Sequence, residues 1–375
     1  MKNCDFAIVG AGIAGASVGW RLAEHGRVLV LERESQPGYH STGRSAAMFM
    51  ESYGTAQIRA LTRASRAFYE APPPGFTEQT LLTPRGVLYI AQRGQEALLE
   101  EVQATLNAES NHVTRVDAAH VLTTVPVVKP DRLIGALAER DAMDIDVHAL
   151  HQGFLRGLRR RGGEVLTNAE LIGAQRDGAL WSLRLSGNRS VQARALVNAA
   201  GAWADRVAQI AGAQPVGLQP KRRTAFTFAP PERIDCSTWP AVVGIDESYY
   251  FKPDAGQLLG SPANADPVEP HDVVPEELDV AIGIDRIQNA TTLTIRRPRH
   301  AWAGLRSFVH DGDLVIGWDD RCDGFFWLAG QGGYGIQSAA GVAELAAALL
   351  LRADTPERLA AFGVDAQALV PARLR

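Results

Sequence analysis

Three basic side chains stand together in "LQPKRRTAF", residues 218–226, within a stretch whose other residues are typical of a buried strand. Side chains alternate between the two faces of a strand, so Arg222 points one way while Lys221 and Arg223 point the other. At most one of these faces can hold an anion in a buried site. Lys and Arg are mostly exposed in proteins, so a solvated strand edge is the competing interpretation.

A glycine-rich turn near the start carries the strongest signal, in "DFAIVGAGIAGASVGWRLAEHGRVLVLERE". An apolar strand leads into a turn with Gly10, Gly12 and Gly15, and a helix follows. The first glycine permits the tight turn, the second lets backbone amides approach a pyrophosphate, and the third lets the helix pack on the strand. The phosphates then lie at a helix N-terminus. This pattern predicts a βαβ nucleotide-binding unit.

A carboxylate at the end of the second strand restricts the choice of nucleotide. The helix is expected to run through Glu24 and to end at Gly26, and the next apolar strand ends at Glu32. Glu32 is suited to accept hydrogen bonds from a ribose diol, and its charge disfavours a 2′-phosphate. NADP is therefore disfavoured, while NAD and FAD both remain possible from this unit.

The next segment, "PGYHSTGRSAAMF", favours FAD over NAD. It lacks the regular strand and helix repeats of a six-stranded NAD domain. Its small residues form a loop that can lie flat against a large planar ring: Ser41, Thr42, Gly43, Ser45 and Ala46.

Later segments are expected to return to the same nucleotide. An amphipathic helix is predicted to open at Asp146 and to end at Gly162 and Gly163. The strand in "ARALVNAAGAWADRVAQIAG" reaches Ala200 and Gly201 where a helix starts. Near the end, "FFWLAGQGGYGIQSAAGVAELAAALLL" again gives strand, glycine-rich turn and helix, whose N-terminus offers a positive dipole end.

Composition limits the class of protein. The chain has 375 residues, which suits two domains, with 46% apolar residues, 21% charged residues and a net charge of -4. These values argue against a nucleic-acid-binding surface and against a disordered tail. Cys4, Cys236 and Cys322 lack any metal-binding spacing, so no metal site is expected and a reducing compartment is indicated. No stretch approaches the roughly 18 apolar residues of a membrane span, and a cytoplasmic protein is expected.

Four motifs together resemble the D-amino acid oxidase superfamily of FAD-dependent oxidoreductases: "IVGAGIAGAS", "HSTGRSAA", "LVNAAGAWAD" and "AGQGGYGIQ". Longer strings, such as "GLQPKRRTAF", "SYYFKPDAG" and "TIRRPRHAWAGLRSF", are similar to bacterial D-arginine dehydrogenases. The resemblance implies an α/β fold with a Rossmann-like FAD-binding domain assembled from residues 1–47, 140–215 and 318–375. A substrate domain with a mostly antiparallel sheet would comprise residues 48–139 and 216–317.

The resemblance implies non-covalent FAD, held by the glycine turn, the small-residue loop and the two later glycine segments. The implied cofactor-binding residues are Gly10, Gly12, Ala14, Gly15, Glu32, Arg33, Ser41, Thr42, Gly43, Ser45, Ala46, Ala47, Ala200, Gly201, Trp203, Gly330, Gly332, Gly333, Tyr334, Gly335, Ile336 and Gln337.

The same resemblance implies catalytic roles for Arg222, Arg306, Tyr53 and Tyr250. The two arginines are expected to clamp a substrate α-carboxylate, since a guanidinium fork matches two carboxylate oxygens. The two tyrosine hydroxyls are expected to hold or cover the substrate, with Tyr53 in a lid loop. A structural ion pair for Arg306 and a packing role for the tyrosines are the competing interpretations.

The implied reaction is oxidative deamination of a D-amino acid. The α-hydrogen would leave as hydride to flavin N5, and the resulting imine would hydrolyse to a 2-oxo acid and ammonia. The turn at residues 330–337 would face the flavin edge where negative charge gathers. No catalytic histidine is required, so His40 and His148 are assigned to the loop and helix that contain them.

Substrate choice is predicted from departures from the arginine-oxidising relatives. Met48 and Met50 replace polar residues, Val87 replaces a carboxylate, and Ala241 is small where those relatives carry a bulkier side chain. Gly333 and Gln337 complete the expected pocket. A desolvated guanidinium needs a counter-charge, so apolar D-amino acids are expected to be preferred over D-arginine unless another carboxylate, such as Glu51, supplies that charge.

Two other functions remain open. A related flavoenzyme could oxidise a secondary amine or a 2-hydroxy acid, and a flavin-binding redox sensor would need no turnover. The D-amino acid enzyme is expected to pass its electrons to an acceptor: a quinone, a dye or an electron-transfer protein. No nucleic-acid partner is expected, and no membrane-spanning segment is expected.

Overall fold

The computed structural model describes residues 2–107, 113–232 and 234–375. The strands are β1 (Lys2–Val9), β2 (Val28–Leu31), β3 (Met48–Phe49), β4 (Leu82–Pro84), β5 (Val87–Gln92), β6 (Val113–Val116), β7 (Leu133–Glu139), β8 (Met143–Ile145), β9 (Glu164–Leu166), β10 (Leu171–Asp177), β11 (Leu180–Leu185), β12 (Arg189–Asn198), β13 (Gln219–Phe228), β14 (Ala241–Gly244), β15 (Tyr250–Asp254), β16 (Gln257–Ser261), β17 (Asp266–Pro267), β18 (His300–Phe308), β19 (Val315–Trp318) and β20 (Phe325–Ala329). The helices are α1 (Ile13–Leu22), α2 (Ala56–Glu70), α3 (Glu96–Asn107), α4 (Ala118–Thr124), α5 (Val147–Arg160), α6 (Ala204–Ala211), α7 (Glu277–Ala290), α8 (Ala339–Leu350) and α9 (Glu357–Ala361).

The first sheet has eight strands and a parallel centre. Its main order is β10-β11-β12-β1-β2-β9, with β20 beside β12 and β19 beside β20. Strands β2, β1, β12 and β20 run parallel, so their carboxyl ends meet at one edge. Parallel strands buried on both faces are typically continuous apolar runs, as "VLVL" in β2 is.

Helices α1, α5 and α8 pack together on one face of this sheet. Glycines allow the close approach: a Cβ at Gly157 of α5 would overlap the Trp20 ring of α1. As predicted, α5 is capped by Asp146, whose Oδ1 accepts from Ala149 N at 2.7 Å. On the opposite face, α6 packs beside β10.

The second sheet has nine strands, mostly antiparallel. Its main order is β17-β13-β16-β15-β14-β5-β7-β6, and β18 pairs with β13. A separate apolar core on this sheet includes Phe226, Phe251 and Trp239, with Ile287 of α7 against it. Lys221 lies opposite Arg306, and Arg222 lies opposite Leu305. Directly paired residues share a face, so Arg306 lies on the Lys221 and Arg223 side of the sheet.

A small third sheet has three strands in the order β3-β8-β4. Asp144 of β8 accepts from Arg85 Nε at 2.7 Å and from Lys252 Nζ at 2.6 Å, which ties this sheet to the second one. The α/β fold expected from the sequence, with a Rossmann-like sheet built from discontinuous segments and a mostly antiparallel second sheet, is confirmed.

The domain boundaries stay a prediction. Helix α2 falls within the segment assigned to the substrate domain, yet it packs on α8, where Ser65 Oγ accepts from Gly341 N at 2.9 Å. Within the described ranges, no helix is both long enough and apolar enough to cross a bilayer.

Candidate active site

A dinucleotide cleft opens at the carboxyl edge of β1, β2 and β12. Gly10 has a φ of +101°, in the left-handed region that favours glycine, and a Cβ there would overlap the Ala199 carbonyl oxygen. A Cβ at Gly15 would overlap the Gly10 carbonyl oxygen, so α1 can pack against the turn only with glycine at that position. The turn therefore has the close-packed geometry that the glycine spacing predicted.

Glu32 lines the cavity in this cleft, whose volume is about 220 Å³. The side chain is 7% exposed. Its Oε2 accepts from Ala11 N at 2.9 Å and its Oε1 from Glu34 N at 2.9 Å. Each carboxylate oxygen has a second lone pair, so the anchored side chain can still accept hydrogen bonds from a ribose diol.

Aromatic and cationic side chains form a second wall of this first cavity. The Trp203 ring lies 4.6 Å from the His40 ring, and the Arg33 guanidinium lies 4.9 Å from the Trp203 centroid. His40 Nε2 is also 2.9 Å from Glu34 Oε1. Sequence reasoning selected Arg33 and Trp203 but assigned His40 only to its loop. The position of His40 directly before the small-residue loop was the available signal.

A second cavity adjoins the first, and both contain Ser41 and Thr42 in their walls. Thr42 Oγ1 accepts from Ile13 N at 3.0 Å, and Ser41 Oγ donates to the Leu305 carbonyl at 2.6 Å. These contacts join the first residue of α1 and strand β18 to one loop. A ligand with a nucleotide at one end and a ring system at the other can thus span the two cavities.

Arg306 lies in the second cavity with its guanidinium fixed by a tyrosine. Its Nη1 donates to Tyr53 Oη at 3.1 Å. Burial works against its charge, yet contacts with Tyr53 and Tyr250 raise the Arg306 pKa overall. A Cβ at Gly333 would lie 2.9 Å from Arg306 Nη1, so a glycine leaves room for the guanidinium.

The second arginine in this cavity is Arg223. Its Nε donates to the Asn264 carbonyl at 2.6 Å. Burial and the nearby Arg306 charge lower the Arg223 pKa. Tyr250 lines the same cavity, so Arg223, Arg306 and Tyr250 come together there, with Tyr53 bonded to Arg306.

The expectation that Arg222 shares this cavity is wrong. Its guanidinium pairs with three carboxylates on the other face of β13: Nε with Asp279 Oδ2 at 2.9 Å, Nη2 with Asp266 Oδ2 at 3.4 Å, and Nη1 with Glu276 Oε1. These carboxylates raise the Arg222 pKa against the effect of burial. The alternation of side chains was right, but the choice of face was reversed.

The expected apolar pocket residues do not line the second cavity. Val87 and Ala241 are 1% and 2% exposed and face a closed apolar cluster, which also contains Met50 and has Met48 packed against it. Val87 pairs directly with Ala241 across β5 and β14, which turns both side chains into that cluster. Neither Val87 nor Ala241 lies on the wall of the cavity that contains Arg306.

Gln337 was expected on the pocket wall, but it is 2% exposed and its side chain forms hydrogen bonds within the protein. Its Nε2 donates to Thr62 Oγ1 at 3.0 Å and to the Met50 carbonyl at 3.2 Å. Glu51 was the carboxylate expected to offset the charge of a D-arginine side chain, and it accepts from Arg66 Nε at 2.5 Å. Both side chains are therefore already committed within the protein.

The predicted cofactor-binding residues fall into three groups, according to which cavity wall they form part of. Those in the first cavity are Gly10, Gly12, Glu32, Arg33, Ser41, Thr42, Ala200, Gly201 and Trp203. Those in the second are Ser41, Thr42, Ser45, Ala46, Gly332, Gly333, Gly335 and Ile336. On neither wall are Ala14, Gly15, Gly43, Ala47, Gly330, Tyr334 and Gln337. A direct cofactor contact for this last group stays a prediction.

The second cavity also has a buried hydrogen-bond donor in its wall that the described residues do not satisfy. Gln331 lies in its wall, and the buried Gln331 Nε2 has no hydrogen-bond acceptor among the described residues. A buried amide without a partner costs free energy unless a ligand or water satisfies it. A flavin ring with carbonyl oxygens at its edge fits this donor and the small residues beside it.

The chain is similar in sequence or structure to several known proteins. The chain is 24% identical to hydrogen cyanide synthase subunit HcnC of Pseudomonas aeruginosa over 412 residues, covering 96% of this chain and 95% of that protein. It is 25% identical to sarcosine oxidase subunit beta of Rhodobacter capsulatus over 185 residues, covering 47% and 44%. The crystal structure of glycine oxidase from Geobacillus kaustophilus has the same fold, with a TM-score of 0.84, 22% identity and coverage of 98% and 99%.

The family model described as FAD dependent oxidoreductase matches residues 5–349. This match spans both cavities and nearly every strand of the two large sheets. The predicted cofactor, FAD, is therefore confirmed. The chain belongs to the FAD-dependent oxidoreductase family.

Proposed function

We propose that this enzyme oxidises D-amino acids at the α-carbon, giving an imine that hydrolyses to a 2-oxo acid and ammonia. FAD, when bound, would accept the hydride that leaves the α-carbon. The observation that carries the proposal is the pair of arginines, Arg223 and Arg306, in the cavity that adjoins the dinucleotide cleft.

These arginines suit the α-carboxylate of a substrate. Among the described residues, no carboxylate forms an ion pair with either guanidinium, although Arg222 next along the chain has three. Two neighbouring cations in a partly buried cavity repel each other and favour an anion between them. A guanidinium fork can bind both carboxylate oxygens and so orient the α-carbon.

The side-chain preference follows from the charges in the same cavity. Its described wall has three arginines, Arg44, Arg223 and Arg306, and no carboxylate. Glu247 acts on the charge of Arg223 but does not line the cavity, so a cationic substrate side chain would meet no carboxylate on the described wall. Apolar D-amino acids are still expected to be preferred over D-arginine, but Ile13 and Ile336 would now supply the apolar surface in place of Val87 and Ala241.

The test is a panel of both enantiomers of leucine, methionine and arginine, with an artificial dye as electron acceptor. We expect kcat/KM for D-leucine and D-methionine to exceed that for D-arginine, and the L-enantiomers to be inactive. D-Arginine as the best substrate would contradict the charge argument. Turnover of only L-enantiomers would overturn the proposed handedness.

A secondary amine is the second candidate substrate, supported by the likeness to a sarcosine oxidase subunit. Sarcosine carries the same carboxylate, so Arg223 and Arg306 could bind it equally well. Adding sarcosine, glycine and a 2-hydroxy acid to the panel separates these classes. A flavin that none of these compounds bleaches under anaerobic conditions would favour a non-catalytic flavin protein. The acceptor in the cell, a quinone or an electron-transfer protein, is also part of the proposal.

A further inference from the structure

Glu139, at the end of β7, is a buried carboxylate outside the proposed substrate cavity. It is 1% exposed and lies directly opposite Val87 in the β5–β7 pair. Its Oε1 accepts from Glu51 N at 2.7 Å and from Ser52 N at 3.3 Å, and its Oε2 is bonded to Ser52 Oγ. One side chain therefore satisfies three donors of a single short segment.

That segment, residues 50–53, is called the clamp loop here because it carries Tyr53. From the opposite side, Gln337 Nε2 donates to the carbonyls of Met50 at 3.2 Å and Tyr53 at 3.4 Å. The backbone donors of the loop are thus held by Glu139 and its acceptors by Gln337. The loop then presents the Tyr53 hydroxyl to Arg306.

The environment of Glu139 argues for a specific role. Its cross-strand partner Val87 and the adjacent Ala241 belong to an apolar cluster. Burial raises the Glu139 pKa, and the donors from Ser52 and Glu51 counteract that shift. A carboxylate in such surroundings is costly unless hydrogen bonds compensate it. Only a group with acceptors on both oxygens can serve all three donors of the loop.

We propose that Glu139 is a positioning residue for substrate binding: it fixes the clamp loop so that Tyr53 holds the Arg306 guanidinium in its carboxylate-binding orientation. This inference rests on the proposed function, in which Arg306 binds the substrate carboxylate. Glu139 touches neither cavity wall, so its influence must pass through the loop.

The test is Glu139→Gln in the FAD-loaded enzyme, which places an NH₂ group against donors of the loop. We expect faster hydrogen–deuterium exchange in a peptide covering residues 50–53. The Kd of benzoate, read from the flavin absorption spectrum, and the KM of D-leucine should each rise about tenfold, the scale of one hydrogen bond to a charged group. The kcat per bound flavin should change less.

Asp319→Asn is the matched control. Asp319 is also buried, and it accepts from Trp327 Nε1 at 2.8 Å and from two backbone N–H groups in the turn between β19 and β20. It differs from Glu139 in also forming an ion pair, with Arg375. Its loss should lower thermal stability but leave the benzoate Kd unchanged. Should Glu139→Gln not fold, Ser52→Ala keeps both backbone bonds and should shift the benzoate Kd in the same direction by a smaller factor.

Unchanged exchange of residues 50–53 in Glu139→Gln would overturn the role of Glu139 in holding the loop. Faster exchange with an unchanged benzoate Kd would overturn its role in substrate binding. The benzoate titration needs no turnover, so it decides the inference even if D-amino acids prove not to be the substrate. Wild-type enzyme that binds no carboxylate would overturn both the inference and the proposed clamp.

Discussion

Arg222 and Arg223 are neighbours in the chain but differ in what balances their charge. Arg222 has three carboxylates around its guanidinium, so its charge is satisfied by the protein. Arg223 has a backbone carbonyl and lies near a second cation, Arg306, and its pKa is lowered by burial and by that charge. At the residue scale, the first arginine is suited to a structural role and the second to an anionic ligand.

Replacing each arginine by Met should therefore have different effects. Arg223→Met should cut kcat/KM severely while FAD stays bound, because losing one partner of a buried charge pair costs about 2–5 kcal/mol in comparable interfaces. Arg222→Met should instead lower the free energy of unfolding by about 3–5 kcal/mol, because Asp279 stays buried without its cation. Steady-state kinetics per bound flavin and chemical denaturation measure the two effects. A larger kinetic loss in Arg222→Met would refute this assignment.

The opposite faces of these two arginines could be predicted from the sequence, but the functional face could not. Strand alternation separates Arg222 from Arg223 without any tertiary information. Choosing between them requires the β13–β18 register, which places Lys221 opposite Arg306. It also requires the position of Asp279, which lies 57 residues further along the chain. Neither follows from local pattern.

At the scale of elements, the turn between β20 and α8 shapes the space around Arg306. A Cβ at Gly333 would lie 2.9 Å from Arg306 Nη1, tighter than ordinary van der Waals contact. Gly333→Ala should displace the guanidinium from Tyr53 and raise the KM of the amino acid substrate. The glycine has no positive φ, so backbone strain should not add to this effect.

FAD content is the control for Gly333→Ala, because Gly333 lies in the cavity assigned to the flavin ring while its added methyl would point at Arg306. We expect flavin stoichiometry equal to wild type together with a weaker benzoate complex, measured by the same absorption titration. Full benzoate affinity in this variant would show that the guanidinium has other room to move.

Strands and helices with glycine or capping signals were predicted well. Which side chains of the second-sheet strands point toward the substrate cavity was not. Asp146 and the glycines after it marked both ends of α5. By contrast, Val87 and Ala241 were expected at the substrate and are instead enclosed in an apolar cluster with Leu99 of α3. Both faces of β5 are buried, so its sequence contains no alternation that would show which face meets the cavity.

At the scale of the whole molecule, the cofactor site draws on both large sheets. Ser41 bonds to Leu305 of β18, while Thr42 bonds to Ile13 of α1. The glycine turn predicted one half of this site by physical argument alone. The pairing of distant segments into two sheets could be anticipated only through resemblance to a family, because local periodicity does not determine which strands pair.

Because FAD contacts would join the two sheets, its binding should stabilise the fold as a whole. Neither cavity wall contains a cysteine among the described residues, and the one histidine there, His40, belongs to the first cavity. We therefore expect yellow protein that releases its flavin into solution on acid precipitation, whereas colour remaining in the pellet would indicate a covalent link. Adding FAD at 100 times its Kd to apoprotein should contribute about 2.7 kcal/mol, measured as a rise in Tm. Gly10→Ala should abolish that rise, because its Cβ would overlap the Ala199 carbonyl and distort the turn.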